Sequence, residues 1–299
     1  MSAGEAMSTG IDLDAVVAID VHTHAEVSED GHLSLPDSLM AASAAYFRTE
    51  DGRAPTLDQL AEYYRARNMA AVVFTVDSEH NTGHPPVPND DVARAARRHP
   101  DVLIPFASID PHRGAWALDE ARRLVEEMGV RGFKFHPTLQ AFSPDDALAY
   151  PLYAVLDELG VPALFHSGQT GIGAGTPGGH GLRLRYSNPM ALDDVAADFP
   201  GLTLIIAHPS FPWQDEALAI ATHKANVYLD LSGWSPKYFP PQLVRYADSL
   251  LRHKVLFGSD YPLISPDRWL RDFADLTLKA EVRPLILKEN AIEALRLRG

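Results

Sequence analysis

The chain has 299 residues, 46% of them hydrophobic, no cysteine, and 40 acidic against 26 basic side chains, for a formal net charge of −14. That length suffices for one large core; the acidic balance excludes nucleic-acid recognition through a basic surface, and the missing thiols leave histidine and carboxylates to hold any transition metal. Residues 1–13 lack the basic and apolar regions of a signal peptide and no apolar run reaches about 18 residues, so a cytoplasmic protein without a membrane span is expected, with a flexible N-terminus over 1–14.

A short apolar run, a turn and an amphipathic stretch recur eight times. The strand candidates are Ala15–His24, Ala70–Asp77, Leu103–Asp110, Val130–Pro137, Pro162–Gly168, Leu202–Ser210, Val227–Gly233 and Val255–Pro262. Continuous apolar runs suit strands covered on both faces, as in a parallel sheet. Helices are expected over Leu57–Asn68, Asn89–His99, Gly114–Met128, Pro144–Leu159, Pro189–Phe199, Trp213–His223, Pro240–His253 and Pro266–Leu278, with a final one over Arg283–Leu297. Thr56, Asn89 and Ser143 are good cap residues, and Pro144, Pro189 and Pro266 suit a first helical turn. This alternation predicts an α/β fold, a single (β/α)8 TIM barrel spanning 1–299; a doubly wound open sheet is the alternative. Two connections exceed what a connector needs. Ala25–Thr56 follows the first strand, and Gln169–Asn188 follows the fifth in a stretch carrying seven glycines from Gly168 to Gly181. In a barrel such loops lie over the C-terminal face, where sites form.

The strand ends hold the chemistry-bearing residues. The first strand ends in D-V-H-T-H, whose His22 and His24 share a face at i, i+2 and can share one divalent metal; two hydrogen-bonded structural histidines are the alternative. The fourth ends in Lys134 and His136, the fifth in His166, the sixth in His208, the eighth in Asp260 within G-S-D-Y-P. His22, His24, His166 and Asp260 make a set of three imidazoles and a carboxylate with room for water, and Asp260 can also move a proton. His208 can donate to an oxyanion or act as acid–base, or be structural. Of the remaining histidines, only His180 lies close enough in sequence to the site loops to stay a candidate. Phe211, Trp213 and Trp234 directly follow site strands and are candidates for a flat apolar pocket for a small-molecule substrate. Arg183 and Arg185 can pair a carboxylate or CoA phosphates, or be solvated. Gln140 and Gln169 can supply amide contacts. G-I-G-A-G lacks the strand–helix setting of a dinucleotide site.

D-x-H-x-H on the first strand, histidines after the fifth and sixth, and Asp in G-S-D-Y-P resemble the amidohydrolase superfamily, in particular the branch with aminocarboxymuconate semialdehyde and hydroxybenzoate decarboxylases. The resemblance runs from about Ile19 to the final helix. It implies the barrel, one divalent ion (zinc first, manganese second) on His22, His24, His166 and Asp260, and acid–base work by His208. It also makes a homodimer the expected assembly. G-F-K-F-H-P-T-L-Q-A-F, H-S-G-Q-T-G-I-G-A-G, A-H-P-S-F-P-W and D-L-S-G-W-S-P-K-Y-F-P resemble 4-hydroxyphenyl β-ketoacyl-CoA hydrolases within it. Binuclear members carry a carboxylated lysine on the fourth strand. Here Lys134 and His136 are expected to touch a substrate carboxylate or carbonyl, with a second metal bridged by modified Lys134, or a structural Lys134, as alternatives. The leading expectation is thus metal-dependent hydrolysis of a C–C bond in an aromatic β-ketoacyl thioester. Non-oxidative decarboxylation of an aromatic or enoic acid comes second, a lactonase or amidase third, and a catalytically silent metal-binding protein last.

Overall fold

The computed structural model describes residues 9–47 and 54–298. Eight parallel strands run β1 Ala18–His24, β2 Met69–Phe74, β3 Leu103–Pro105, β4 Phe133–Phe135, β5 Ala163–His166, β6 Leu204–Ala207, β7 Val227–Asp230 and β8 Val255–Leu256. Regular ladders join β1–β2–β3 and β4 through β8. Further backbone hydrogen bonds close the two gaps: Lys134 N–H donates to the Ala107 carbonyl at 2.7 Å and Ala107 N–H to that of Gly132 at 2.9 Å, while His24 N–H donates to the Tyr261 carbonyl at 2.8 Å and Val21 N–H to that of Phe257 at 3.0 Å. The result is the α/β TIM barrel expected from the strand–helix count. None of the described helices is long and apolar enough to cross a membrane.

Alternation along the strands divides the side chains into two packed layers. Ala70, Val72 and Phe74 of β2, Leu164 of β5 and Ile205 of β6 fill the barrel interior, while Ala71, Val73, Phe165 and Ile206 face the helices. Gly132 makes room for this filling, since a Cβ there would lie 2.3 Å from the Phe106 ring. Of the N-terminal stretch 1–14, residues 1–8 lie outside the described residues. Ile11 is buried with the interior cluster, and Lys288 Nζ donates to the Leu13 carbonyl at 3.0 Å.

The helices keep the expected order with shorter bounds. Leu57–Arg65 opens on Thr56, whose hydroxyl takes the Gln59 N–H while the Gln59 side chain returns to the Thr56 N–H. Two expected caps do other work. Asn89 exchanges hydrogen bonds with the Ser108 backbone. Ser143 heads a turn closed on the Asp146 carboxylate, which delays the next helix to Tyr150–Leu159. The C-terminal helix contains a π turn over Leu285–Glu289. Of the first long connection, Asp37–Phe47 is helical and residues 48–53 lie outside the described residues.

Candidate metal centre

His22 and His24 reach the barrel interior because β1 changes register between Asp20 and Thr23. Ile19 and Val21 pack in the interior cluster below the shift, and His22 and His24 face inward above it. Lys134 and His136 come from the end of β4, His166 closes β5, and His208 follows β6. Asp260 lies beyond β8. His208 and Asp260 both take left-handed backbone conformations, with φ of 67° and 73°. Non-glycine residues rarely adopt this conformation, and where they do it is often at functional sites.

Among the described residues, one set of three metal-ligating side chains gathers: the donor atoms of His22, His24 and Asp260 lie within 4.8 Å of one another. Asp260 Oδ1 is 3.0 Å from His24 Nε2 and 3.3 Å from His22 Nε2. Two ligands each about 2.1 Å from a common ion lie about 3.0 Å apart at a right angle and about 3.4 Å apart at the tetrahedral angle. These residues therefore fit a divalent ion in both donor type and spacing.

His166 was expected in that set, yet its nitrogens do not fall within it. Ser232 Oγ donates to Asp230 Oδ2 at 2.8 Å. His208 Nδ1, 3.0 Å from Ser232 Oγ, donates to that hydroxyl, so its Nε2 accepts from His166 Nδ1 at 2.9 Å. This leaves His166 Nε2 as a bare lone pair, buried without a hydrogen-bond partner. Asp230 Oδ2 also takes the Nδ1 proton of His22 at 2.5 Å, which turns the His22 Nε2 lone pair toward Asp260. Gly258 makes space for this carboxylate, since a Cβ there would sit 2.0 Å from Asp230 Oδ1.

Burial sets the protonation of the site. It drives the His22 pKa well below the ordinary imidazole range, with the Lys134 charge adding to the effect and Asp260 opposing it. Burial does the same to His136, again with Lys134, and to His166, with His136 and His208. His136 and His166 stack with ring centres 3.8 Å apart. Lys134 Nζ lies 3.2 Å from His22 Nε2 and can donate to it only while no ion takes that lone pair, and burial lowers its pKa to about 8 against the pull of Asp230 and Asp260. For Asp260 burial pushes upward, but the His24 hydrogen bond and the nearby imidazoles outweigh it and hold the carboxyl below its usual range. Asp230 rises to about 6 through burial, with His208 and Ser232 opposing.

His22, His24, Lys134, His136, His166, His208 and Asp260 form the floor of a cavity of about 600 Å³. Its walls include Met40 and Ala44 from helix Asp37–Phe47, Leu139, Ile172, Trp234 and Tyr238. Gln169 lines it. Several expected substrate contacts do not. Gln140 is buried, with its amide spent on the backbone: Oε1 accepts from His136 N–H, and Nε2 donates to the carbonyls of Asp77 and Ile109. Arg183 and Arg185 are exposed outside the lining, Arg185 lying over Tyr186. Phe211 packs on Trp234 with 45% of its surface exposed, and Trp213 caps helix Gln214–His223; neither lines the cavity, nor does His180. Sequence reasoning missed Asp230 and Ser232, although β7 ends at Asp230 and the strand-end filter applied there would have found it. It also missed Arg268, which lines the cavity from the first turn of helix Pro266–Ala274 and carries no sequence signal.

A family model for amidohydrolases matches residues 19–297. No curated protein matches the chain. Among solved structures, an uncharacterised TIM-barrel protein from Bordetella bronchiseptica is 24% identical, with a TM-score of 0.73 over 94% of this chain and 98% of that one. A dihydroxybenzoic acid decarboxylase from Polaromonas sp. JS666, with bound manganese and 2-nitroresorcinol, is 19% identical, with a TM-score of 0.65 over 95% and 98%. A probable 2-pyrone-4,6-dicarboxylic acid hydrolase from Acinetobacter baumannii, with citric acid bound, is 15% identical, with a TM-score of 0.60 over 94% and 100%.

Proposed function

The chain belongs to the amidohydrolase family, and from that premise we propose that it is a metal-dependent carboxy-lyase that removes the carboxylate of an aromatic or enoic acid as CO2 without redox chemistry. His22, His24 and Asp260 would hold the ion, and the free lone pair of His166 Nε2 faces the same cavity. A bound divalent ion would supply Lewis acidity beside the reacting carbon. Structural neighbours that are decarboxylases of 5-carboxyvanillate, dihydroxybenzoic acid and 2,6-dihydroxybenzoate support this reading, and manganese in three of the neighbouring structures makes that metal the first to test, ahead of zinc.

The observation that carries the proposal is Lys134. It is fully buried, beside the metal-ligating set and at the floor of a largely apolar cavity. A carboxylate is the substrate group such a cation would receive, through a charge-assisted hydrogen bond strengthened by exclusion of water. In the reaction, the carboxylate carbon leaves as CO2, the electron pair of the broken C–C bond stays on the substrate carbon, and that carbon takes one proton. Asp260 is anionic in the free protein. It therefore takes the proton up first, from a substrate hydroxyl or solvent, and passes it from its oxygen to the carbon. His208, hydrogen-bonded on both ring nitrogens, would hold a substrate oxygen only by exchanging its His166 partner.

Hydrolysis is the second reading, whether of a C–C bond in an aromatic β-ketoacyl thioester, as first expected, or of a lactone or amide. A probable hydrolase among the neighbours and a cavity larger than one ring favour it. Manganese-loaded protein incubated with a panel of hydroxybenzoates in D2O, with products read by mass spectrometry, separates the two. Decarboxylation predicts CO2 and a phenol carrying one deuterium at the vacated carbon. In ¹⁸O-water, a thioester substrate giving an acid with heavy oxygen and no CO2 would overturn the lyase in favour of the hydrolase.

A further inference from the structure

We infer that the cavity selects carboxylates bearing a second anionic group on an arm, and that Arg268 receives that group. This rests on the assignment of a substrate carboxylate to Lys134. Two cations line the cavity at different depths: Lys134 is fully buried, whereas Arg268 is exposed. The cavity that both line exceeds one ring. A cavity of roughly 150 Å³ is enough for benzene, against about 600 Å³ here. Ala41, Ala44, Ala54 and Gly171 keep the wall open where larger side chains would close it.

The surroundings of Arg268 leave its guanidinium available. Asp267 beside it is taken by Nε and Nη2 of Arg67 and by the Tyr63 hydroxyl. Asp272, a turn further on, takes the Ser235 hydroxyl at 2.5 Å and faces Arg271. Glu26, the cavity's other carboxylate besides Asp260, accepts the Ser34 hydroxyl. Among the described residues Arg268 has no ion pair. With a formal charge of −14, the molecule repels anions at long range, so a cation free to meet a ligand at the cavity is the local feature that reverses this. A guanidinium fork pairs a carboxylate or phosphate with two hydrogen bonds. The substrate class is therefore an aromatic or enoic acid with a flexible arm ending in carboxylate or phosphate.

Isothermal titration of manganese-loaded wild type, Arg268→Gln and Arg268→Lys tests this. The probes are 4-alkylbenzoates and their 4-(ω-carboxyalkyl) counterparts with one to four methylenes, so that the arm length is scanned. Wild type is expected to bind at least one diacid about tenfold more tightly than its neutral match. Arg268→Gln brings that diacid to the affinity of its match, and Arg268→Lys keeps part of the difference. Equal binding of every pair by wild type, or a preference that survives Arg268→Gln, overturns the distal contact alone. Failure of wild type to bind any benzoate overturns the inner carboxylate assignment as well.

Discussion

Asp230 fixes the site without touching the cavity. Its Oδ2 takes the Nδ1 proton of His22, and through Ser232 it sets the tautomers of His208 and then His166. Carboxylates behind ligating histidines orient the ring and raise its basicity, and losing one costs metal affinity about 10–100-fold. Asp230→Asn keeps the volume and removes the charge. It is expected to weaken manganese binding by about that factor while the circular dichroism spectrum stays that of wild type; unchanged affinity would show that His22 holds its orientation unaided. At this scale the sequence was readable where a residue type and a strand end coincided, as for His22, His24, Lys134, His166, His208 and Asp260. It was unreadable where the deciding fact was a partner far along the chain. Nothing in the local sequence says that the Gln140 amide is consumed by the Asp77 and Ile109 carbonyls, or that Arg268 turns to the cavity while Asp267 turns to Arg67.

The first βα connection is the element on which the cavity most depends, since it supplies the wall carrying Met40 and Ala44. It is tied down by charge. Glu29 pairs with Arg94 at 2.8 Å and Arg98 at 2.6 Å, and Arg98 extends to Asp58 at 3.0 Å. The Arg98 hydrogen bond holds the Glu29 carboxyl below its usual range, and His99 followed by Arg98 does so for Asp58. Folded carboxyls with lowered pKa contribute stability above their ordinary range, and that stability is lost as pH falls through the lowered values. Each pair is partly exposed and worth little alone. Protection of the amides in 26–35, taken relative to their intrinsic exchange rates, is therefore expected to fall below about pH 4, and Arg98→Ala should bring that loss of protection to neutral pH. Protection that ignores both acid and the substitution would mean that packing alone holds the loop. Element types and order were legible from periodicity and Pro, Gly and Asp punctuation. The register shift in β1 was not, because the apolar residues Val16, Val17, Ile19 and Val21 read the same with or without it. The late start of Tyr150–Leu159 was hidden as well, since Ser143–Pro144 resembles a helix start and the turn onto Asp146 competes with it locally.

At the scale of the whole molecule, the closed barrel brings the ends of β1, β4, β5, β6, β7 and β8 to one floor although they span residues 22–260. Eight strand–helix units made this closure predictable. The width of the cavity was not, because it depends on which faces of the long connections turn inward. The folded molecule thus unites a charged floor, a largely apolar wall and a free guanidinium at a shallower level. All of these positions matter only if one cation sits among His22, His24 and Asp260. Electron paramagnetic resonance during titration with Mn(II) measures this most directly, on the wild type and on His24→Ala at matched concentration. One tightly bound manganese per chain in the wild type, with affinity lost by at least about tenfold in His24→Ala, is the expected result. Two spin-coupled ions per chain, as a modified Lys134 bridge would give, or manganese bound as tightly without His24, would contradict it.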